Sequence, residues 1–161
     1  MKRNALQIGC LAAASAAAVL SEQPANQLAT FRKEWVINVN TRQLDRVMTL
    51  YAEDSVLVAG SGERIVGRSN ISTYFKKMFE RTTADTLGVE YPKGEISGDF
   101  GYDSGAIVHR LAVPAGSENP SWVMLSGNEC RGNYLSVLRR QAGKWVIIQQ
   151  AFNDTCNMPR R

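Results

Sequence analysis

The chain has 161 residues, which suits one domain large enough to bury a core without staples. Its 44% hydrophobic and 21% charged content are ordinary globular values and exclude a low-complexity chain. Much of the net charge of +4 sits at the ends, in Lys2, Arg3, Arg160 and Arg161; no dense basic stripe crosses the interior, which argues against a nucleic-acid partner.

Lys2 and Arg3 precede Ala5–Leu20, a run that is apolar apart from Gln7 and Ser15, and polar SEQPANQ follows. This is the layout of a signal peptide over residues 1–21, with small residues for cleavage after Ala16, Ala18 or Ser21. A periplasmic or secreted location is expected. No stable membrane span remains after leader cleavage, because the run is short and alanine-rich. The competing reading is an uncleaved Ala-rich first helix of a cytosolic protein. Export would remove Cys10 and leave Cys130 and Cys156, an even pair in a compartment that permits disulfides.

Asn26–Asn40 is expected to be a helix, with Leu28, Phe31, Trp35 and Val39 in one apolar stripe and Arg32, Lys33 and Glu34 elsewhere. A second helix is expected to start at Asn40, with Gln43 at the capping-box position and Leu44, Val47, Met48 and Tyr51 buried. Ser55–Ala59 and Glu63–Val66 read as strands around a Gly60-Ser61-Gly62 turn. Ser69 is placed to cap a third helix, in which Ile71, Tyr74, Phe75, Met78 and Phe79 form the strongest amphipathic stripe. Strands follow: Leu87–Tyr91, broken at Pro92 with a continuation at Glu95–Ser97, then Phe100–Val113, Ser121–Arg140 and Lys144–Asp154. Pro114–Pro120 reads as an exposed loop, and bends are expected near Gly101, Gly105, Gly127 and Gly132.

Helices first and an antiparallel meander after them define an α+β class. Bent strands curl a sheet. The expected architecture is a cone-shaped, curved antiparallel sheet with three N-terminal helices over its concave face and a pocket inside. The domain spans residues 22–156, and 157–161 form a frayed tail.

The last hairpin carries most of the detail. A three-residue Gln141-Ala142-Gly143 loop would pair Arg140 with Lys144. Tyr134 would then face Gln150, Ser136 would face Ile148 and Leu138 would face Val146, with Phe152 on the same face. Leu135, Val137, Trp145, Ile147 and Ala151 would take the other face. Both faces are largely apolar, so one meets the helices and the other is expected to meet a second copy of the chain, giving a homodimer. Cys130 would lie opposite Asp154, with Cys156 one diagonal step away. That is near the limit of disulfide reach, so a Cys130–Cys156 bridge and two reduced thiols both stay open.

Phe31–Asp54, FRKEWVINVNTRQLDRVMTLYAED, resembles the opening of the nuclear-transport-factor-2-like superfamily in its SnoaL-like branch. There, two helices run into a Y/F-A-x-D step, here Tyr51-Ala52-Glu53-Asp54. Val66-Gly67-Arg68 leading into Ile71, Tyr74 and Phe75 resembles the passage into the family's third helix, and Gly132–Asn153 resembles its last hairpin. The resemblance covers about residues 26 to 154. It implies a cone-shaped barrel, frequent dimers, a hydrophobic pocket, and activities from isomerase and cyclase to plain binding. The ketosteroid isomerase pattern would want a tyrosine at 35, an aspartate at 59 and an aspartic acid near 134–135, but the chain has Trp35, Ala59, Tyr134 and Leu135, so that activity is excluded.

The expected ligand is a small, mostly apolar molecule. Its pocket floor would be Trp35, Tyr51, Phe75 and Phe79, and the sheet would add His109, Tyr134, Gln150 and Phe152. His109 is the single histidine and shares strand parity with Ile107 and Leu111. It would act as general base or acid, with Tyr134 as hydrogen-bond donor, in an isomerisation, cyclisation or dehydration. The alternative is a satisfied histidine in a non-catalytic binding or assembly module. Tyr134 and Gln150 would orient a ligand carbonyl or satisfy each other. Asp103 and Glu129 are expected to be solvent-exposed; buried, either would have a raised pKa and serve as a base. Neither a metal site nor a cofactor is implied, since one histidine and two distant cysteines do not match zinc spacing.

Overall fold

The computed structural model describes residues 23–81, 84–112 and 129–154. The leader, the Pro114–Pro120 loop, the tail and Cys156 lie outside the described residues, as do the side chains of Glu129 and Cys130.

Helix α1 runs over Pro24–Asn40, with proline in its first turn, where a missing N–H costs nothing. It buries Leu28, Phe31, Trp35 and Val39, the expected stripe. Asn40 does not open a second helix. It ends α1 and turns its side-chain amide to β3 (Ala84–Ser97), accepting from Leu87 N at 2.7 Å and donating to Leu87 O at 3.0 Å. The amide thereby mimics a neighbouring strand and ties the helix end to the sheet. Arg42 takes a positive φ of 54°, and α2 is a short helix, Leu44–Thr49. Gln43 precedes it without a side-chain capping bond, so no capping box forms.

Strand β1 is Tyr51–Val58; Tyr51 therefore belongs to the sheet, not to α2. Gly62, at φ +85°, turns the chain into β2, Arg64–Val66. Gly67, at φ +86°, leads directly into α3, Arg68–Arg81. The helix thus starts before Ser69, which cannot be its cap; the Gly67 carbonyl accepts from Ile71 N at 3.0 Å. Ile71, Phe75 and Met78 are buried, with Tyr74 and Phe79 half-buried.

Four long strands complete the sheet: β3, β4 (Phe100–Ala112), β5 (Glu129–Gln141) and β6 (Lys144–Asp154). β3 does not break at Pro92. The register shifts between Glu90 and Lys93, with Tyr91 at φ 51°, so the proline sits in an irregularity where no ladder N–H is needed. The six strands lie in the order β2-β1-β6-β5-β4-β3. All pairs are antiparallel except β1 with β6. The sheet is curved and unclosed, with the helices packed on one side. Gly94 shows how closely α1 approaches: a Cβ there would stand 2.7 Å from Leu28 Cδ1 and 2.5 Å from the Tyr102 carbonyl oxygen.

The last hairpin departs from its expected register. Ala142 and Gly143 both take positive φ, 48° and 79°, and form a two-residue turn with Gln141 paired to Lys144. A further irregularity between Val137 and Leu138 takes up Ile148 as an extra residue on β6. Tyr134 consequently faces Phe152 and Ser136 faces Gln150, while Leu138 faces Ile147. The extra residue also reverses the side on which β6 begins. Ile147 is fully buried and Trp145 packs against the core, its indole N–H donating to Gln27 Oε1 of α1 at 3.0 Å. Neither faces outward as expected. Leu135 does, at 46% exposure. Asp154 pairs with Gly132 rather than with Cys130.

Candidate functional site

Three polar side chains from three elements meet beneath α1. Arg32 lies one helical turn before Trp35, Asp103 is on β4, and Tyr134 is on β5. Gly105 is paired with Tyr134, and a Cβ there would stand 3.1 Å from the Tyr134 ring; the glycine leaves that space to the phenol. The Tyr134 hydroxyl donates to Asp103 Oδ2 at 2.7 Å. Arg32 Nε donates to Asp103 Oδ2 at 3.0 Å and to the Tyr134 oxygen at 3.1 Å, and Arg32 Nη2 closes an ion pair on Asp103 Oδ1. Asp103 is 2% exposed, contrary to the expectation of a solvated carboxylate. Its burial is tolerated because both oxygens are met by charged or polar donors.

The electrostatics follow from this packing. Burial alone would lower the Arg32 pKa, but the hydrogen bond and charge of Asp103 outweigh it and the pKa rises. Burial raises the Tyr134 pKa, and the Asp103 carboxylate raises it further against the opposing pull of Arg32. Tyr134 therefore stays a neutral phenol at physiological pH.

Aromatic rings cover this network. Trp35 stacks on Tyr134 at 6.4 Å and on Phe152 at 6.0 Å, each with planes inclined by 21°. Trp35 is buried, and its indole N–H has no acceptor in hydrogen-bond geometry. That N–H still lies close enough to the Tyr51 hydroxyl to lower its pKa in part, although burial, the larger effect, raises it overall. Tyr51 donates to Gln150 Oε1, and Gln150 Nε2 donates to Ser136 Oγ at 2.9 Å. A second ring series runs from Tyr51 to Phe75 and on to Phe79, with centroids 6.0 Å apart at each step.

The fold thus brings Trp35, Tyr51, Tyr134, Gln150 and Phe152 together on one face. Phe75 and Phe79 extend that face towards α3. Gln150 is partnered by Tyr51 and Ser136 rather than by Tyr134. His109 pairs across the sheet with Leu87 and Cys130. It stands four residues, roughly 13 Å along β4, from Gly105, so it lies well apart from Tyr134. Sequence reasoning missed Arg32 and Ser136. The available signal for Arg32 was its i, i+3 spacing to Trp35, which sets both over the same surface. Among the described residues no group of three or more His, Cys, Asp or Glu is placed to hold a metal ion. No helix there is long and apolar enough to cross a membrane.

No protein-family model matches the chain, and no curated protein sequence does. Solved structures match over most of its length. A candidate calcium/calmodulin-dependent protein kinase II association domain from Xanthomonas campestris is 22% identical with a TM-score of 0.68, covering 88% of this chain and 94% of that one. A candidate scytalone dehydratase from Novosphingobium aromaticivorans is 10% identical with a TM-score of 0.67, covering 81% and 83%. An NTF2-like protein of unknown function from Pseudomonas putida is 15% identical with a TM-score of 0.66, covering 83% and 89%. With its helices on one side of a curved six-stranded sheet, the chain has the nuclear-transport-factor-2-like fold.

Proposed function

We propose that the protein binds a small, mostly apolar molecule against the inner face of its sheet, with Arg32 fixing the ligand's polar end. The observation that carries this reading is Trp35. Its ring lies over Tyr134 and Phe152, and its buried N–H, although near the Tyr51 hydroxyl, meets no acceptor in hydrogen-bond geometry. Arg32 Nη1 is likewise without a hydrogen bond among the described residues. A ligand carbonyl or carboxylate would satisfy such donors, while its apolar body lies on the rings. Binding without turnover is the first reading, because the Tyr134 hydroxyl donates its hydrogen bond to Asp103 and both Asp103 oxygens are engaged. Acid–base turnover, an isomerisation, cyclisation or dehydration with His109 as base or acid, is the second; His109 shares strand parity with Asp103, but it stands too far along β4 from Tyr134 for both to act on one bond of a small ligand. Native mass spectrometry of the protein purified from its own host tests the binding reading. A retained small molecule that is lost in Trp35→Leu supports it; a ligand-free protein whose Trp35 indole resonance ignores a panel of apolar ketones and acids overturns it.

The same reading includes export, removal of residues 1–21 and assembly as a homodimer through the outer face of the sheet. It also includes a Cys130–Cys156 bridge. Intact mass before and after reduction checks the bridge, and the mature N-terminus checks the export.

A further inference from the structure

A second feature lies on the helical layer, away from the sheet. Helices α1 and α2 bound a groove of about 470 Å³ lined by Thr30, Lys33, Glu34, Ile37, Asn38 and Arg46. The first five positions recur at i, i+3, i+4, i+7 and i+8, so they form one face of α1, and Arg46 comes from α2. Asn38 is the unusual member. It is 3% exposed, and its Nδ2 has no hydrogen-bond partner. A buried amide donor without an acceptor is uncommon in a native protein and marks the place of a missing one. Lys33 and Arg46 are exposed and form no ion pair among the described residues. Ile37 presents its side chain to the same groove at 46% exposure.

We propose that this groove binds a small monocarboxylate carrying a short apolar tail. One carboxylate oxygen accepts from Asn38 Nδ2, Lys33 and Arg46 meet the negative charge, and the tail lies along Ile37. With Glu34 included, the charged side chains of the groove sum to a single positive charge, which matches one negative charge on the ligand. A doubly charged phosphate would set its second charge beside Glu34 and is disfavoured. None of the six residues belongs to the Arg32–Asp103–Tyr134 network, so the site stands apart from the inner face and does not depend on its function.

The Asn38 side-chain NH2 pair reports on the site directly in 1H–15N spectra of the full chain, assigned by its loss in Asn38→Ser. Sodium hexanoate should shift this pair, while 1-hexanol should leave it in place. Arg46→Gln, an exposed change that the fold tolerates, should weaken the hexanoate effect about tenfold, the loss of one charge-assisted contact. The proposal is overturned if hexanoate leaves the Asn38 pair unmoved, as it would if water alone fills the groove. It is also overturned if Arg46→Gln has no effect on affinity, or if 1-hexanol or inorganic phosphate moves the pair at the same or lower concentration.

Discussion

Tyr134 donates its phenolic proton to Asp103 Oδ2 at 2.7 Å, inside the reach of the same Arg32 side chain that neutralises the carboxylate. The pair joins a buried carboxylate, bridged by Arg32, to a neutral phenol. It sits where α1 crosses the sheet, so it links helix and sheet as well as forming the polar end of the site.

Asp103→Asn keeps the shape of this side chain and removes its charge. Arg32, which is 16% exposed, would then lie largely buried opposite a neutral amide. Removing one partner of such a pair leaves an uncompensated charge, so a loss of about 3 kcal/mol in urea denaturation is expected. Arg32→Met combined with Asp103→Leu should recover most of it, because an apolar pair carries no desolvation penalty. A single variant within about 0.5 kcal/mol of the parent would show that the ion pair contributes nothing to stability.

The two buried tyrosines predict alkaline sensitivity. Tyr51 and Tyr134 both have pKa values raised above the ordinary 10.0, each first by burial. Each folded state therefore holds its phenolic proton after the unfolded chain has released it. Their contribution is fully present below about pH 10 and is lost as pH rises beyond it, by about 1.4 kcal/mol per pH unit for each tyrosine. Denaturation at a series of pH values from 9 to 11 should show this fall. Tyr134→Phe should remove about half of the slope while leaving the neutral-pH fold intact. An unchanged slope in that variant would contradict the assignment to Tyr134.

The turn of the last hairpin carries a local strain. Ala142 holds a φ of 48°, where a Cβ meets its own backbone. Asparagine before glycine suits the two-residue turn, which needs positive φ at both places. Ala142→Asn is therefore expected to raise stability by about 1 kcal/mol. A three-residue turn, with only Gly143 left-handed, would gain nothing from the change, so thermal or chemical denaturation of this variant distinguishes the two registers.

That turn also shows what the sequence carries and what it hides. The helical stripes of α1 and α3 are periodic over more than two turns and were legible, as were both ends of β6, Lys144 and Asp154. The facing of Trp145 and Ile147 was not. Their side of the sheet depends on one extra residue at Ile148, and a run of apolar residues on both faces contains no alternation that would reveal it. Tyr51 fitted a helical stripe but begins β1, because the α2 stripe spans less than two turns and a strand start offers the same buried position. Asp103 was expected outside because carboxylates without partners stay in water. Its partner Arg32 lies 71 residues earlier, and only the docking of α1 on the sheet, chiefly over β3, brings them together. The aromatic part of the site was readable from local pattern, whereas its charged part is a product of tertiary contact.

The outer face of the sheet provides the test of assembly. Leu135 at 46% and Tyr102 at 40% exposure stand on neighbouring strands, and Val137 pairs directly with Tyr102. Apolar side chains contiguous on one sheet face are the expected core of an interface between two copies. Leu135→Arg would place a cation at that position in both copies, and the twofold relation of a dimer would double the penalty. Light scattering should show a dimer for the parent chain and a monomer for the variant, with circular dichroism unchanged because Leu135 takes no part in the core. A parent that is monomeric at high concentration, or a variant that remains dimeric, would remove the outer face from consideration as the contact surface.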